Sequence, residues 1–266
     1  MEVQLFPHSS RPGVGMRPRQ ENKRPMLPQH SRHCPVLEAG NGIGFLVYPP
    51  LEETEAFYAE FLGDGGYRFT FYMGSGATQW QPVFAVTMTM PIGSLGRFRE
   101  DVEFLVPDPP ISRQAATEMV RVFIVPEDLG TPAGAITLRG GSNFRTPEGW
   151  DTVYSAVFNN IERPVAPMLV VRVETDWYAH DSEFRYVLQP GEGIPGAHNL
   201  PVGQVFFMPR EQITLRDSTT EEVAEIALSR KSFARQKSEM TIATPHGLQY
   251  SPYYARQARV RKTEER

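Results

Sequence analysis

From Cys34 onward the apolar residues fall in short runs bounded by Gly, Pro, Asn and Asp, which is the punctuation of strands rather than helices. Candidate strands are 44–48, 67–73, 83–90, 103–106, 120–125, 135–138, 152–156, 169–174, 184–188, 202–208 and 212–215. In 83–90 the second half alternates Thr with Met, as a half-buried strand should. In 169–174 the same period brings Val170, Arg172 and Glu174 onto one face. The pattern predicts an all-β chain, a single β-sandwich or jelly-roll domain over 34–215 with a C-terminal helix.

Helical signals are few. Residues 51–61 follow two prolines and stop at Gly63, consistent with one short helix. The clearer case is 218–235. Asp217 or Ser218 can cap it, Glu221 and Glu222 suit its first turn, and Lys231 and Arg235 suit its last. Val223, Ile226 and Ala227 share one face, so this helix is expected to dock on the sheet. Residues 216–266 thus form a helix and a basic tail, fraying from Arg256 to Arg266. Residues 1–33 show no hydrophobic period and several prolines, and read as a disordered basic arm. No internal repeat is present.

Length changes this picture little: 266 residues suffice for a core that needs no disulfide or metal. The single cysteine, Cys34, excludes an internal disulfide framework and any multi-cysteine metal site. No apolar run approaches the roughly 20 residues that span a bilayer. The first residues lack the apolar stretch of a secretory signal, so the expected location is the cytoplasm. Charge is more informative. Residues 34–215 carry 11 Arg and no Lys against 22 Asp and Glu, while both ends are net basic. An acidic surface of that size repels phosphates and argues against nucleic acid as the partner of the central domain. The preference for Arg fits a GC-rich genome, and it also supplies planar bidentate contacts that Lys cannot make.

The strong catalytic signatures are missing: no Gly-x-Gly-x-x-Gly before a helix, no Gly-Lys-Ser/Thr loop, no Gly-x-Ser-x-Gly elbow and no His-Glu-x-x-His pair. Arg139-Gly140-Gly141-Ser142 reads as a turn, since no helix follows to complete a phosphate cradle. The densest chemistry lies in Phe144-Arg145-Thr146-Pro147-Glu148-Gly149-Trp150 and Val173-Glu174-Thr175-Asp176-Trp177. Two readings compete there. Arg145, Trp150, Glu174, Asp176 and Trp177 form a ligand site, with Arg145 anchoring an acidic group and the indoles stacking on an apolar part. Alternatively, Arg145 pairs with Glu174 or Asp176 and locks two strands.

These two segments, with the Pro190-Gly191 turn and the run Val205-Phe206-Phe207-Met208-Pro209, resemble the bacterial family called domain of unknown function 6065. The likeness covers roughly 34–215 and is best over roughly 140–210. It departs at Glu148, where a second proline is usual, and at Tyr178-Ala179-His180-Asp181, which replaces a more apolar continuation. The resemblance implies a compact β domain and carries no assigned activity.

The sequence therefore favours a β domain that binds a small molecule or partner chain without metal or cofactor. One alternative is an enzyme. It would be either cupin-like, holding a metal with His180, Glu183 and His198, or an acid–base catalyst using Glu174 and Asp176. Another is an assembly subunit, a homo-oligomer with basic arms.

Overall fold

A computed structural model describes residues 2–22, 34–74, 79–89, 99–126, 131–160, 167–243, 247 and 249–264. They divide into two compact units: 2–22 with Leu37–Arg210, and 34–36 with 211–264.

The first unit is all-β and sandwich-like. In chain order it begins with β1 (Gln4–Pro7), α1 (Pro35–Asn41), β2 (Phe45–Val47), β3 (Glu55–Gly63), β4 (Gly66–Gly74), β5 (Trp80–Thr89), β6 (Arg99–Phe104), α2 (Arg113–Phe123) and β7 (Ile124–Pro126). It continues through β8 (Ala135–Arg139), β9 (Ser142–Arg145), β10 (Trp150–Ser155), β11 (Met168–Leu169), β12 (Val171–Val173), β13 (Glu183–Val187), β14 (Gly193–Ala197) and β15 (Gly203–Pro209). These strands make a five-stranded sheet, β14-β3-β4-β5-β6, two four-stranded sheets, β12-β10-β15-β2 and β11-β13-β8-β7, and the pair β1-β9. Every pairing is antiparallel.

Aromatic residues dominate the core. Phe57, Phe69 and Phe71 alternate on the inner faces of β3 and β4, and Phe84 joins them from β5. The end of α2 drops Phe123 onto this layer, 5.6 Å from Phe57 and 6.0 Å from both Phe69 and Phe71. Each such ring, fully buried, contributes about 2–3 kcal/mol. Ser112 caps α2, its Oγ accepting from the Ala115 N–H at 3.2 Å. The span 120–125 is therefore not one strand but the end of a helix followed by β7. An apolar run alone does not separate the two. Residues 55–61 are not helical either. They lie in β3, where the hairpin to β4 outweighs the helix-favouring glutamates before it.

The largest departure from the sequence reading is at the N-terminus. Residues 2–22 are ordered on the β unit, while 23–33 lie outside the described residues. β1 pairs with β9 from Gln4↔Arg145 to Pro7↔Ser142. His8 is fully buried, and its Nδ1 accepts from the N–H groups of Ser10 and Arg11 at 3.1 and 3.3 Å. That leaves the proton on Nε2, 3.6 Å from an Asp181 carboxylate oxygen. Arg11 forks onto Glu55 at 2.7 and 3.1 Å, donates to the Pro50 carbonyl at 2.9 Å and lies over the Phe123 ring. Arg19 bridges to Leu46 and covers Tyr48. This segment is held by individually placed polar and cation–π anchors rather than by a periodic apolar face, which is why its pattern resembles disorder.

The second unit contains α3 (Thr220–Glu239), β16 (Ile242–Ala243), β17 (Gln249–Tyr250) and α4 (Tyr253–Glu264). The cap of α3 is Thr219, in a complete capping box with Glu222. No α3 residue is buried within this unit, where α3 meets the segment 251–253 at its C-terminal half. Residues 212–215 form no strand, and of the basic end 256–264 lie in the helix α4, while 265 and 266 lie outside the described residues.

Burial lowers the His8 pKa from 6.5, against the attraction of Asp181. The unfolded chain then binds this proton more readily than the folded one. Stability should be full above the unfolded value and fall as pH drops through it. The urea midpoint should decrease between about pH 7.5 and about pH 5.5. His8→Asn, which keeps an acceptor near the Nδ1 position, should flatten that slope. An unchanged slope would show that His8 does not titrate with folding.

Candidate functional site

The two segments singled out in the sequence meet in the structure, but through different partners. Gly149, at φ 78°, turns the chain back from β9 into β10, a conformation that favours glycine. Asp151, at the start of β10, is 2% exposed. Its oxygens accept from Arg172 Nε on β12 at 2.5 Å and from Arg210 Nε after β15 at 2.6 Å. Arg210 also pairs with Asp176 and donates its N–H to the Gly149 carbonyl at 2.8 Å. The Gly149 N–H in turn donates to Asp176 at 3.0 Å. Burial pushes the Asp176 carboxyl up, but the Gly149 N–H and the Arg210 guanidinium hold it below the usual carboxylate range. An acid so held is ionised near neutrality and is no proton donor there, and its oxygens are engaged by Arg210 and the Gly149 N–H. Beneath it Thr146, Thr152 and Thr175 share hydroxyl contacts of 2.9 and 2.7 Å.

Arg145 is not part of this network. It is exposed on β9, opposite Gln4, and Arg210 takes the place expected for it beside Asp176. Trp150 is a half-buried β10 residue opposite Pro209. The structure thus brings Asp176 and the backbone around Trp150 into a lock between strands, and leaves Arg145 outside it. Glu174 and Trp177 stand together beyond the lock: the indole Nε1 donates to Glu174 at 2.5 Å, and Trp177 is 69% exposed.

Trp177 opens a series of rings leading inward. It lies 5.6 Å from Tyr178, Tyr178 lies 4.8 Å from His180, and His180 lies 6.1 Å from Tyr154. The inner rings line a cleft of about 230 Å³, together with Val171, Val173, Glu183 and Arg185. The cleft opens where β10 and β12 of one sheet approach β13 of another, a junction sealed below by the edge-on contact of Tyr154 and Phe184 at 5.5 Å. On β13 the alternation buries Phe184 and Tyr186 and turns Glu183 and Arg185 outward, placing opposite charges on one wall. Burial, opposed by a hydrogen bond with Ser182, pushes the Tyr154 hydroxyl up to about 12. Tyr154 is therefore a neutral hydrogen-bonding phenol, not a base.

The wall carrying His180 is fixed from behind. Asp181 accepts from the Ser9 N–H at 3.0 Å, from the Ser9 hydroxyl and from Asn143 Nδ2 at 2.7 Å. Burial raises its pKa, yet these hydrogen bonds and His8 bring it below the usual range. Asn143 also accepts from the Ser182 N–H at 2.7 Å and donates to the Pro7 carbonyl at 3.0 Å. Residues 180–183 are thereby held against β9 and the N-terminal segment.

His180 and Glu183 share this cleft, but His198 does not line it: its Nδ1 is 2.7 Å from the Leu51 carbonyl. Among the described residues no group of three or more His, Cys, Asp or Glu gathers as a metal-holding cluster. The three residues of the cupin-like alternative are not brought together. Tyr154 and Arg185 are not singled out by the sequence, and Tyr178 only as part of the departure Tyr178-Ala179-His180-Asp181. The available signals were the outward charges of β13 and the polar run Tyr178-Ala179-His180-Asp181 after Trp177. A second hollow of about 130 Å³ is lined by Val3, Leu5, Pro18, Phe45, Phe144 and Phe207, with Arg17 its only charged side chain. Among the described residues, no helix is long and apolar enough to cross a membrane. Comparison with family models, curated proteins and solved structures gives no match.

Removing the Asp151 carboxylate leaves two guanidinium groups without their shared acceptor. Asp151→Ala should cost about 2–3 kcal/mol, the lower end for a broken buried pair because both arginines are partly exposed. Arg145→Ala should change stability by no more than about 0.5 kcal/mol. Denaturant unfolding of both variants checks this, and the opposite ranking would restore Arg145 as the strand lock.

Proposed function

We propose that the β unit is a binding domain for a small organic molecule, held in the cleft of Tyr154, Tyr178, His180, Glu183 and Arg185 with Trp177 and Glu174 at its rim. The observation that carries this reading is the coincidence, in one cleft, of aromatic side chains, the apolar side chains of Val171 and Val173, and two opposite charges on one strand. Sites of this kind combine apolar surface with a few convergent polar groups. The volume is below the roughly 300–1,000 Å³ of drug-sized sites, which favours a ligand of one ring or an amino-acid-sized molecule. Glu183 would meet a cationic group, Arg185 an anionic one, and the rings of Tyr178 and His180 a flat or apolar body. The reading needs no metal. It moves the site from Arg145 and Trp150 to the neighbouring cleft and keeps Trp177 and Glu174.

The exposed indole of Trp177, tilted against Tyr178, is a built-in reporter. Emission should change on titration with L-tyrosine or L-phenylalanine, and less with benzoate or benzylamine, which each carry only one of the two charges. Tyr178→Ala and Arg185→Ala should each weaken the response about tenfold or more. The melting temperature of Tyr178→Ala should stay within a few degrees of the parent, because Tyr178 is 49% exposed. No response to any of the four probes at about 5 mM, or one indifferent to Tyr178→Ala, would count against the cleft as the site.

A further inference from the structure

The hollow of about 130 Å³ beside β1 has its origin in the backbone. β2 begins at Phe45, which pairs with Val205, whereas β15 runs on to Pro209. Gly44, at φ 71°, turns the chain away at that point, and a Cβ on it would stand 1.9 Å from the Val205 carbonyl oxygen. Phe207, two residues further along β15 on the same face as Val205, therefore has no β2 residue beside it. The β1-β9 pair supplies the opposite wall, with Leu5 set against Phe144. Phe207 lies 6.1 Å from Phe45 and 5.6 Å from Phe144, tilted by 50° and 60°. Phe144 is buried, Phe45 and Phe207 are half-buried, and Leu5 and Arg17 are exposed, so the hollow runs from an apolar floor to a solvent-exposed mouth.

The charge at this mouth has one sign. Arg17 is the only ionisable residue of the lining, and it has no hydrogen-bond or ion-pair partner among the described residues. The other arginines of the segment are engaged: Arg11 forks onto Glu55, and Arg19 lies 3.7 Å from Glu21. An unpaired guanidinium above an apolar hollow is complementary to a carboxylate, which it can meet with two parallel N–H donors. Volume sets the apolar part. A cavity of about 150 Å³ lined by apolar side chains takes up benzene, so one of about 130 Å³ has room for a single six-carbon ring. Phenylalanines tilted against one another can meet such a ring edge to face. A free amino acid does not suit the site, because no carboxylate among the described lining residues would receive its ammonium group.

We propose that this hollow is a second binding site, for a small aryl carboxylate, with the ring among Phe45, Phe144 and Phe207 and the carboxylate on Arg17. It shares no lining residue with the cleft of Tyr154 and Tyr178, and it takes ligands that lack the cationic group Glu183 would meet there. The two sites stand or fall separately.

The test is an NMR titration of the full chain with 3-phenylpropionate. Shifts should centre on Val3, Leu5, Phe45, Phe144 and Phe207, with a Kd of about 1 mM or tighter. 3-Phenylpropylamine, which has the same body and the opposite charge, should bind at least about tenfold more weakly. Arg17→Gln should weaken 3-phenylpropionate at least about tenfold. Its urea midpoint should match the parent, since Arg17 is exposed and unpaired. Shifts centred on Tyr154 and Tyr178, no saturation below about 10 mM, equal binding of the amine, or indifference to Arg17→Gln would each overturn the proposal.

Discussion

The carboxylate of Asp181 is the constraint on which the β unit's cleft depends. A charge largely withdrawn from water must be met by donors, and here they come from two distant stretches of chain, Ser9 at one end and Asn143 in the middle. Each donor has further duties. Ser9 follows His8, whose buried ring caps the N-H groups of Ser10 and Arg11. Asn143 is a β9 residue that also binds Ser182 and Pro7. One carboxylate thus fastens the N-terminal segment, β9 and the approach to β13 to one another. His180 and Glu183, which flank it, line the cleft as a consequence.

A second carboxylate, Asp151, does the same for the opposite wall. Its two arginines come from β12 and from the end of β15, so they hold together the strands that carry Val171, Val173 and the Trp177 loop. Between these nodes the cleft is a gap between two sheets whose sides are fixed and whose mouth is edged by rings. Preorganisation of this kind lowers the ordering cost of binding, because little has to be arranged when a ligand arrives.

Much of the framework was legible in the chain. The alternation in 83–90 locates β5 to within three residues and the apolar run 202–208 locates β15 to within one, while the charges of 218–235 mark α3, which is capped by Thr219 rather than Asp217 or Ser218 and runs on to Glu239. What the sequence hid was non-local. β3 follows a run of glutamates that suits a helix, and becomes a strand because β4 and β14 flank it. The N-terminal segment is held by His8, Arg11 and Arg19, residues that in isolation read as solvated. The Phe144–Trp150 and Val173–Trp177 segments meet through Gly149 and Asp176, but the arginine beside them is Arg210, 59 positions from Asp151. No spacing rule connects residues so far apart, whereas Arg145 was near at hand. The cleft was hidden for the same reason: Tyr154 and Arg185 meet only once two sheets have been assembled.

Amide and side-chain NMR shifts of the full chain, recorded with and without L-tyrosine, test the central claim most directly. The expected result is a set of perturbations confined to Tyr154, 171–173, 177–180 and 183–185. Changes centred on Arg145 and Trp150, or on the hollow of Phe45, Phe144 and Phe207, would contradict it by placing the ligand elsewhere.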